Sequence, residues 1–424
     1  MTPDFNPDDL DLLDELIAAE GHAAPARDRI EPRNRPDAPA SLQQRRLWFL
    51  HELDERSTAY NISTAFRLAG PFDPVRFQRA FEAVIERHGV FRTTFVNRDG
   101  EPWQEVSAHA PQSVIIEDWS HRPDRDTALT ALAAQDGTAP FDLARGPLYR
   151  ARVIRLADDD HALLLTLHHI IADAWSLDVL MAELHHSYNG EPLPPLSVQY
   201  TDYAWWQQER SAGASGASML AYWERVLADL PATELPVDFR RPAALTHDGA
   251  AHVVHIAPAV AAALATLARR EGTTMFVVLL AGFYVLLSRY ARQTDLVVGA
   301  PVAQRDDRET QALIGFFVNM LVLRVDASGD PSFRAFVARV KDVVMGAVEH
   351  GDVPYETLVE RLQPARDQSR NPLFSTAFTL LTAPANARPF GGVTATPLST
   401  ASSSRFDLEV VMNDSIDGMR AVFT

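Results

Sequence analysis

The chain has 424 residues, of which 46% are hydrophobic and 22% charged, an ordinary composition for a globular protein. Its 39 basic and 56 acidic residues give a net charge of −17, which argues against nucleic acid as a partner because no basic excess exists to neutralise phosphates. The absence of cysteine excludes disulfides, a thiol nucleophile and a cysteine-ligated metal. A chain of this length is expected to form two domains.

The first 38 residues differ in composition from the rest. Residues 8–20 place leucines on neighbouring helical faces and predict a short acidic amphipathic helix. Residues 21–38 are rich in proline, alanine and arginine and predict a linker without a core, either a disordered leader or a docking segment. Because this acidic start is unlike a signal peptide, we expect a cytoplasmic protein with no membrane partner.

From about Ser41, helical and strand patterns alternate, which predicts the α/β class. The patterns predict helices at residues 77–90, 176–190, 258–270, 273–290 and 333–351. They predict strands at residues 91–96, 148–156, 161–169, 251–257, 295–302, 316–325, 373–381 and 405–414. A glycine-bearing stretch at 209–220 separates two similar halves, so we predict domains at 39–215 and 216–424. The apolar stretch Met275–Leu287 is shorter than the roughly 20 residues that span a bilayer and predicts a buried core helix.

Two adjacent histidines, His168 and His169, close the apolar run at 161–169, and Asp173 follows four residues later. Consecutive residues of a strand face opposite sides, so one histidine should point to a core and the other to the crevice beyond the strand. An H-x3-D spacing alone is a weak functional signal. No third metal ligand stands at a usual spacing, no G-x-S-x-G nucleophile elbow exists, and no glycine-rich phosphate loop is present. A second pair, His185 and His186, lies late in a predicted helix, where exposed carbonyls favour polar side chains, and is interpreted as structural.

The stretch "HHIIADAWS" (168–176) resembles the HHxxxDG signature of condensation domains of nonribosomal peptide synthetases. Similar motifs of that family occur in the same order along the chain: "SLQQRRLWFL" (41–50), "RHGVFRTTF" (87–95), "YTDYAWW" (200–206), "VVGAPVAQR" with "LIGFFVNMLVLR" (297–324), "HGDVPYETLVERL" (350–362) and "RDQSRNPLF" (366–374). The resemblance implies two lobes, each like chloramphenicol acetyltransferase, arranged as a V with the active site in a tunnel between them. It also implies amide-bond formation between a donor thioester and the amine of an acceptor.

The resemblance implies a role for each matching residue. His169 would be the catalytic histidine, and Asp173 would be structural and pair with Arg305 of the other lobe. Around them, the resemblance assigns supporting positions to His168, Ala174, Trp175 and Ser176, and tunnel or motif positions to Gln44, Arg46 and Asn319. No metal is implied. A histidine with a pKa near 6.5 suits general-base catalysis or alignment of the amine, and the sequence leaves both open.

The resemblance further implies that this domain binds no cofactor of its own. Its substrates would arrive on the phosphopantetheine arms of an upstream donor and a downstream acceptor carrier protein, with an adenylation domain as a possible further partner. The opening motif resembles members that take an L-configured donor. The elements that close the second lobe in the family are expected to be missing after "GMRAVFT".

Two alternatives stay open. Related acyltransferases that use coenzyme A or a carrier share the H-H-x-x-x-D pattern and the two-lobed fold, so the fold alone does not decide. The other alternative is a non-catalytic recruitment module, because Ala174 stands where the family has glycine. If that position needs a positive φ, alanine there costs roughly 1 kcal/mol or narrows the tunnel.

Overall fold

The structure is a computed structural model of the chain. It describes residues 29–109, 113–211, 214–243, 246, 249–305, 308–363, 367, 369–382, 390–398, 404–415 and 418–424. The acidic helix predicted for residues 8–20 lies outside these residues, and so do residues 21–28 of the predicted linker.

Helices and strands alternate through both halves of the chain, which confirms the predicted α/β class. The helices are α1 (Leu42–Leu53), α2 (Pro74–Arg87), α3 (Arg125–Gly137), α4 (Ala174–Asn189), α5 (Tyr200–Ser211), α6 (Ala214–Val226), α7 (Pro258–Arg270), α8 (Met275–Ala291), α9 (Arg308–Gln311), α10 (Phe333–Glu349) and α11 (Tyr355–Leu362). Short 3₁₀ turns lie at Gly89–Arg92 and His169–Ile171.

The strands are β1 (Asp37–Pro39), β2 (Asn61–Ala69), β3 (Thr93–Arg98), β4 (Glu101–Val106), β5 (Ile115–Asp118), β6 (Tyr149–Ala157), β7 (Asp160–His168), β8 (His252–Ile256), β9 (Asp295–Ala303), β10 (Val318–Asp326), β11 (Thr376–Thr382), β12 (Thr394–Pro397), β13 (Leu408–Ser415) and β14 (Gly418–Phe423). They form a sheet in the order β12-β2-β7-β6-β5, a second in the order β10-β9-β11-β13-β14-β8, and a small third sheet, β1-β4-β3.

Strand β7 lies in the middle of its sheet and carries apolar side chains on both faces. Leu163, Leu165 and Leu167 belong to the main core of the first half, while Ala162 and Leu164 pack in a smaller cluster with α3. A strand that is buried on both faces has a continuous hydrophobic sequence, which explains the unbroken apolar run before the histidine pair. The strand pairs in register with β2, where Asn61 lies opposite its last residue.

The helix that follows β7 is bounded by polar and glycine signals. The Asp173 side chain accepts a hydrogen bond from the backbone N–H of Ser176 and caps the start of α4. At the other end Gly190 adopts a left-handed conformation, with φ of 78°, where glycine meets no steric cost. These two signals fix where α4 begins and ends, and the first also fixes where the histidine turn must end.

A second core fills the other half of the molecule. It gathers α8, β9, β10 and α10, and it includes Val278, Leu280, Val298 and Val340. The interpretation of Met275–Leu287 as a buried core helix is thereby confirmed. In the described residues no single helix has the length and apolarity to cross a membrane, although the bent pair formed by α7 and α8, at 109°, meets that test by length and composition.

Three features differ from the sequence predictions. The linker predicted for residues 21–38 is packed against the body from residue 29: Ile30 is buried, the Arg33 backbone N–H donates to Asp202, and β1 pairs with β4. The linker prediction failed here because it used composition alone. Composition does not reveal tertiary contacts such as the burial of Ile30 or the ion pair between Arg33 and Glu209.

The predicted boundary at 209–220 is largely helical, since α5 runs to Ser211 and α6 begins at Ala214. The third difference is β12, which comes from the second half of the chain but pairs with β2 in the sheet of the first half. The division into domains at residue 215 stays a prediction.

Candidate active site

His168 is the last residue of β7 and is buried. Its Nδ1 accepts a hydrogen bond from the backbone N–H of Ile170 at 3.1 Å, and its ring lies edge-on to Phe141 at a centroid distance of 6.0 Å. Burial lowers the pKa of His168 to about 3, with the nearby His169 adding to the shift. His168 is therefore a neutral side chain that holds the turn rather than a group open to a substrate.

His169 begins the 3₁₀ turn, so the strand alternation expected for the pair does not extend to it. Its backbone N–H donates to the carbonyl of Tyr60 at 2.7 Å, and its ring lies edge-on to Phe316 with centroids 4.9 Å apart. The residue as a whole is half-buried. Nδ1 is buried and has no hydrogen-bond partner in the part of the chain described above.

The imidazole of His169 is held in its neutral form. Burial lowers its pKa to about 4, with the positive charge of Arg405 adding to the shift and the negative charge of Asp173 opposing it. Near pH 7 the ring therefore keeps a free lone pair on one nitrogen and an N–H on the other. A neutral imidazole can accept a hydrogen bond from an amine or receive its proton.

Asp173 is fully buried and makes no hydrogen bond to the His169 ring. Its Oδ1 accepts from the Ser176 backbone N–H at 2.8 Å and from Arg305 Nη2 at 3.0 Å, and it lies 2.7 Å from the Ser176 hydroxyl. Its Oδ2 accepts from the backbone N–H of Phe317 at 3.0 Å. The carboxylate thus joins the start of α4 to the segment that leads into β10.

Arg305 supplies the countercharge. Only 1% of this residue is exposed, and Nη1 donates to the carbonyls of Thr310 at 2.7 Å and Leu313 at 2.6 Å. Its Nη2 donates to the Ser176 hydroxyl at 2.7 Å, and its guanidinium lies 4.0 Å from the centroid of the Phe317 ring. A buried charge of this kind is tolerated only when it is paired and hydrogen-bonded, and this network meets both conditions.

The other positions in the HHxxxD stretch surround this network. Ser176 is buried, and its hydroxyl accepts from the backbone N–H of Gly315 at 3.0 Å. Trp175 donates from its indole N–H to the carbonyl of Gln311 at 3.0 Å. Ala174 is exposed and is the first residue of α4, with helical rather than left-handed backbone. The backbone at this position therefore does not require glycine.

Gln44, Arg46 and Asn319 differ in how they relate to this chemistry. Gln44 reaches the histidine turn directly, because its Nε2 donates to the carbonyl of Ile170 at 2.9 Å. Arg46 pairs with Glu356 at 3.5 Å and lies over the Tyr355 ring. Asn319 is buried and holds the loop before α11 by donating to the carbonyls of Gly351 and Val353, both at 2.8 Å. Only Gln44 of the three is hydrogen-bonded to the turn that carries His169.

Sequence reasoning missed three residues that the structure brings to the site. Phe316 and Tyr60 contact His169 directly, and Arg405 acts on it through its charge. Phe316 stands in the "GFFVN" stretch, so a family motif carried a positional signal for it, whereas Arg405 begins a stretch that was predicted only as a strand. Their apolar or strand-like surroundings gave no separate indication of chemistry.

The second histidine pair serves as an internal comparison. The ring of His186 contacts Glu191 just beyond α4, and His185 Nε2 lies 3.1 Å from Asn189 Nδ2 within the helix. These contacts lie at the far end of α4 from the carboxylate and arginine network described above. Their role is therefore local to the end of α4.

Two surface cavities have described linings, and neither lining includes His169. One, of about 450 Å³, is lined by residues that include Arg87 and Glu191, and the other, of about 310 Å³, by residues that include Trp48 and Phe141. Across the described ranges, no group of three or more histidine and acidic side chains is placed to hold a metal ion. The described groups at the site are one neutral imidazole and a buried polar network beside it.

Comparison with known proteins identifies the class. The profile of the condensation-domain family matches residues 34–423, and the chain therefore belongs to the condensation-domain family. Among solved structures, the condensation domain from the monacolin K polyketide synthase MokA has a TM-score of 0.81 at 24% identity and covers 91% of both chains. This similarity confirms the α/β fold of condensation domains, which is of the chloramphenicol acetyltransferase type.

Among individual proteins, the chain is similar to short parts of much longer synthases. The chain is 38% identical over 423 residues to one of the proteins that make up the linear gramicidin synthase of Brevibacillus parabrevis, and 40% identical over 398 residues to another. These alignments take in 97% and 91% of this chain but only 8% and 5% of those proteins. The X-domain in the complex of the X-domain and OxyB from teicoplanin biosynthesis is also similar, with a TM-score of 0.82 at 28% identity over 95% of this chain and 91% of that one.

Proposed function

We propose that this chain catalyses amide-bond formation between a donor acyl or peptidyl thioester and the amine of an acceptor aminoacyl thioester. The amine nitrogen attacks the thioester carbonyl, a C–N bond forms, and the C–S bond breaks. The proton lost by the amine balances the thiolate released on the donor arm, which leaves as a free thiol. Both substrates are carried on phosphopantetheine arms of carrier proteins, the donor from upstream and the acceptor from downstream, in a tunnel between two lobes arranged as a V.

The observation that carries this proposal is the neutral, half-buried imidazole of His169 at the end of β7. An amine must lose a proton during aminolysis, and a neutral imidazole is a group able to interact with that proton. The ring stands on a turn that Gln44 braces, beside a helix start capped by buried Asp173. This arrangement holds one reactive side chain rigidly while leaving part of it accessible.

The low pKa of His169, about 4, favours alignment over strong base catalysis. A general base works best when its pKa lies near the operating pH, and the pKa of this imidazole lies well below it. We therefore assign to His169 mainly a hydrogen bond that orients the attacking amine. Correct positioning of two tethered reactants supplies a large share of the rate, since effective molarities in such systems reach about 10⁵ M or more.

The finer assignments follow the family motifs. The opening stretch at residues 41–50 supports an L-configured donor, because it resembles the members that take one. Asp173 and Arg305 are assigned a structural role, and His168 holds the turn. Transfer of a D-configured donor at the same rate as the L-configured donor would overturn the donor assignment.

The test is transfer between loaded carriers. Donor and acceptor carrier proteins are loaded with cognate thioesters, and intact masses are followed after addition of the protein. Movement of the acyl mass from donor to acceptor, lost in His169→Ala, supports the proposal. The matched control is His186→Ala, which removes the second histidine of the other Leu-His-His stretch and should retain transfer. Transfer from free coenzyme A thioesters without carriers would instead support the acyltransferase alternative.

A recruitment function is the second candidate, and the similarity to the teicoplanin X-domain favours it. That X-domain is found in a complex with OxyB, so a chain of this fold can bind a partner protein. For this chain the prediction is tight binding of an assembly-line enzyme with no transfer for any loaded carrier pair. The exposed, helical position of Ala174 weakens this candidate, because it removes the backbone reason for expecting an inactive site.

A further inference from the structure

The orientation of the His169 ring is not fixed by a polar contact at Nδ1. A functional histidine commonly has its second nitrogen hydrogen-bonded to a carboxylate or a carbonyl, which sets the ring in place. Here Nδ1 is buried without a hydrogen bond of ordinary geometry among the described residues, and the backbone of His169 and Ala172 has only a minor influence on the ring. The hydrogen bonds of Asp173 go to Ser176, Arg305 and Phe317 instead. Asp173 therefore does not orient the imidazole directly, which leaves packing against the ring as the stronger contact.

Phe316 makes that contact. Its ring lies against His169 with centroids 4.9 Å apart and planes inclined at 63°, an edge-on geometry that aromatic pairs favour. Phe316 is half-buried, as is His169, so the pair lies where the core meets accessible space. An aromatic ring in this place fills the volume into which the imidazole would otherwise turn.

The backbone that carries Phe316 is fixed on both sides. The carbonyl of Phe316 accepts from the Tyr200 hydroxyl at 2.6 Å, and the next backbone N–H, that of Phe317, donates to Asp173 Oδ2 at 3.0 Å. On the other side, Gly315 lies so close to Tyr200 that a Cβ atom there would fall 2.0 Å from the tyrosine ring. The Phe316 ring is therefore presented from a segment with little freedom to move.

We infer that Phe316 is a positioning residue that holds the imidazole of His169, and that Asp173 acts on the histidine through it. Asp173 caps α4, which follows the histidine turn, and also holds the N–H beside Phe316. One buried carboxylate thus holds both the backbone that follows the His169 turn and the backbone that carries the Phe316 ring. Because His169 is the proposed reactive group, the effect on rate rests on the proposed function.

Loss of the aromatic ring should free the imidazole without unfolding the protein. Misplacement of a reacting group by about 1 Å can cost about 100-fold in rate, so we expect Phe316→Ala to lower the transfer rate by about 10- to 100-fold. The apparent affinity for loaded carriers should not change, because the proposed role of Phe316 is to orient His169 and not to bind a carrier. Phe316→Tyr keeps the ring and should restore most of the rate, while Phe316→Leu should give an intermediate value.

The matched control uses the neighbouring histidine. Phe141 lies edge-on to His168, with centroids 6.0 Å apart and planes inclined at 84°. Phe141→Leu therefore removes an aromatic contact with the neighbouring histidine without removing any group that contacts His169. Paired with Phe316→Leu, it separates a specific effect on His169 from a general effect of repacking an aromatic side chain.

Two readouts are measured on the full chain with histidine-selective isotope labelling. The first is the single-turnover transfer rate at saturating carriers. The second is the set of imidazole NMR signals of His169, identified by their absence in His169→Gln. Loss of the Phe316 ring current shifts these signals by itself, so the readout is line width: we expect the signals to broaden or split in Phe316→Ala and to keep their width in Phe141→Leu. His169 signals that shift in Phe316→Ala without broadening or splitting would overturn the inference, as would a transfer rate equal to wild type in a protein whose His169→Ala variant is inactive.

The ring signals also separate this inference from the proposed function. If His169→Ala transfers as fast as wild type, the proposed function fails, and the NMR signals still decide whether Phe316 positions the imidazole. If Phe316→Ala does not fold, as judged by circular dichroism, the comparison of Phe316→Leu with Phe316→Tyr carries the test. Equal His169 line widths in those two variants and in wild type would contradict the inference.

Discussion

Removal of the charge on Asp173 should strongly destabilise the protein. Asp173 and Arg305 are both buried, with 0% and 1% exposure, and their ion pair is 3.0 Å long. In Asp173→Asn the guanidinium loses its countercharge but stays enclosed, and breaking a buried pair in this way costs about 3–5 kcal/mol. Asparagine caps helices about as well as aspartate, so the cap of α4 is kept; the loss reports the charge together with the hydrogen bond from the Phe317 N–H, which would face the new amide NH2 in place of Oδ2.

The measurement is the unfolding free energy from urea denaturation, followed by tryptophan emission and far-ultraviolet circular dichroism. The control is Asp124→Asn, which breaks an exposed pair with Arg122 and should change the midpoint little. In a double-mutant cycle built from Asp173→Leu and Arg305→Met, the double variant should lose less than the sum of these two single variants, because apolar side chains leave no buried charge. A loss under about 1 kcal/mol for Asp173→Asn, or additive losses in the cycle, would refute the reasoning.

Further predictions concern pH, Ala174 and Gln44. Burial lowers the pKa of His168 to about 3 from an ordinary value of 6.5, so between these values the unfolded chain binds a proton that the folded chain does not. His168 alone should therefore make stability fall on acidification below pH 6.5 by up to about 1.4 kcal/mol per pH unit, with a further loss from His169, whose pKa is also lowered; the slope should decrease in His168→Gln in urea titrations at several pH values. Arg405→Met should raise the pKa of His169 from about 4 towards its ordinary range, which moves both the acid limb of the transfer rate and the imidazole NMR titration to higher pH; an unmoved titration would contradict the charge effect. Ala174→Gly should leave the transfer rate unchanged and lower the unfolding free energy by at most about 1 kcal/mol, and a faster glycine variant would show that the alanine obstructs the site. Gln44→Leu should cost about 1–3 kcal/mol in denaturation and slow transfer, because it leaves the buried carbonyl of Ile170 unpaired, whereas wild-type stability would argue against this bracing role.

The elements nearest the site were predictable from sequence because their signals are local. The apolar run that predicts a strand at 161–169 becomes β7, and the helical pattern that ends at Gly190 becomes α4. Both depend on side-chain periodicity, and the end of α4 also depends on a glycine in a left-handed conformation. The turn at His169 was not predicted, because a three-residue 3₁₀ segment has no periodicity of its own.

Contacts between distant parts of the chain were harder to predict. Physical reasoning requires a cation beside buried Asp173, but the choice of Arg305, 132 positions away, came from resemblance to a family. Phe316 stands in an apolar run that predicts a core strand, so nothing local indicates that its ring contacts a histidine. For the same reason, composition alone gave no sign that Ile30 is buried in the first core.

Because of strand β12, the sheet that contains β2 is built from both halves of the sequence, so a cut in the sequence does not separate the sheets. Residues 394–397 cover one edge of β2 through pairing that runs from Thr394 opposite Ala69 to Pro397 opposite Phe66. A fragment cut at residue 215 would carry the HHxxxD stretch but would leave that edge bare, with unpaired N–H and C=O groups available to any other extended peptide. Such a fragment should self-associate when expressed alone, and a synthetic peptide of the missing strand should suppress this association.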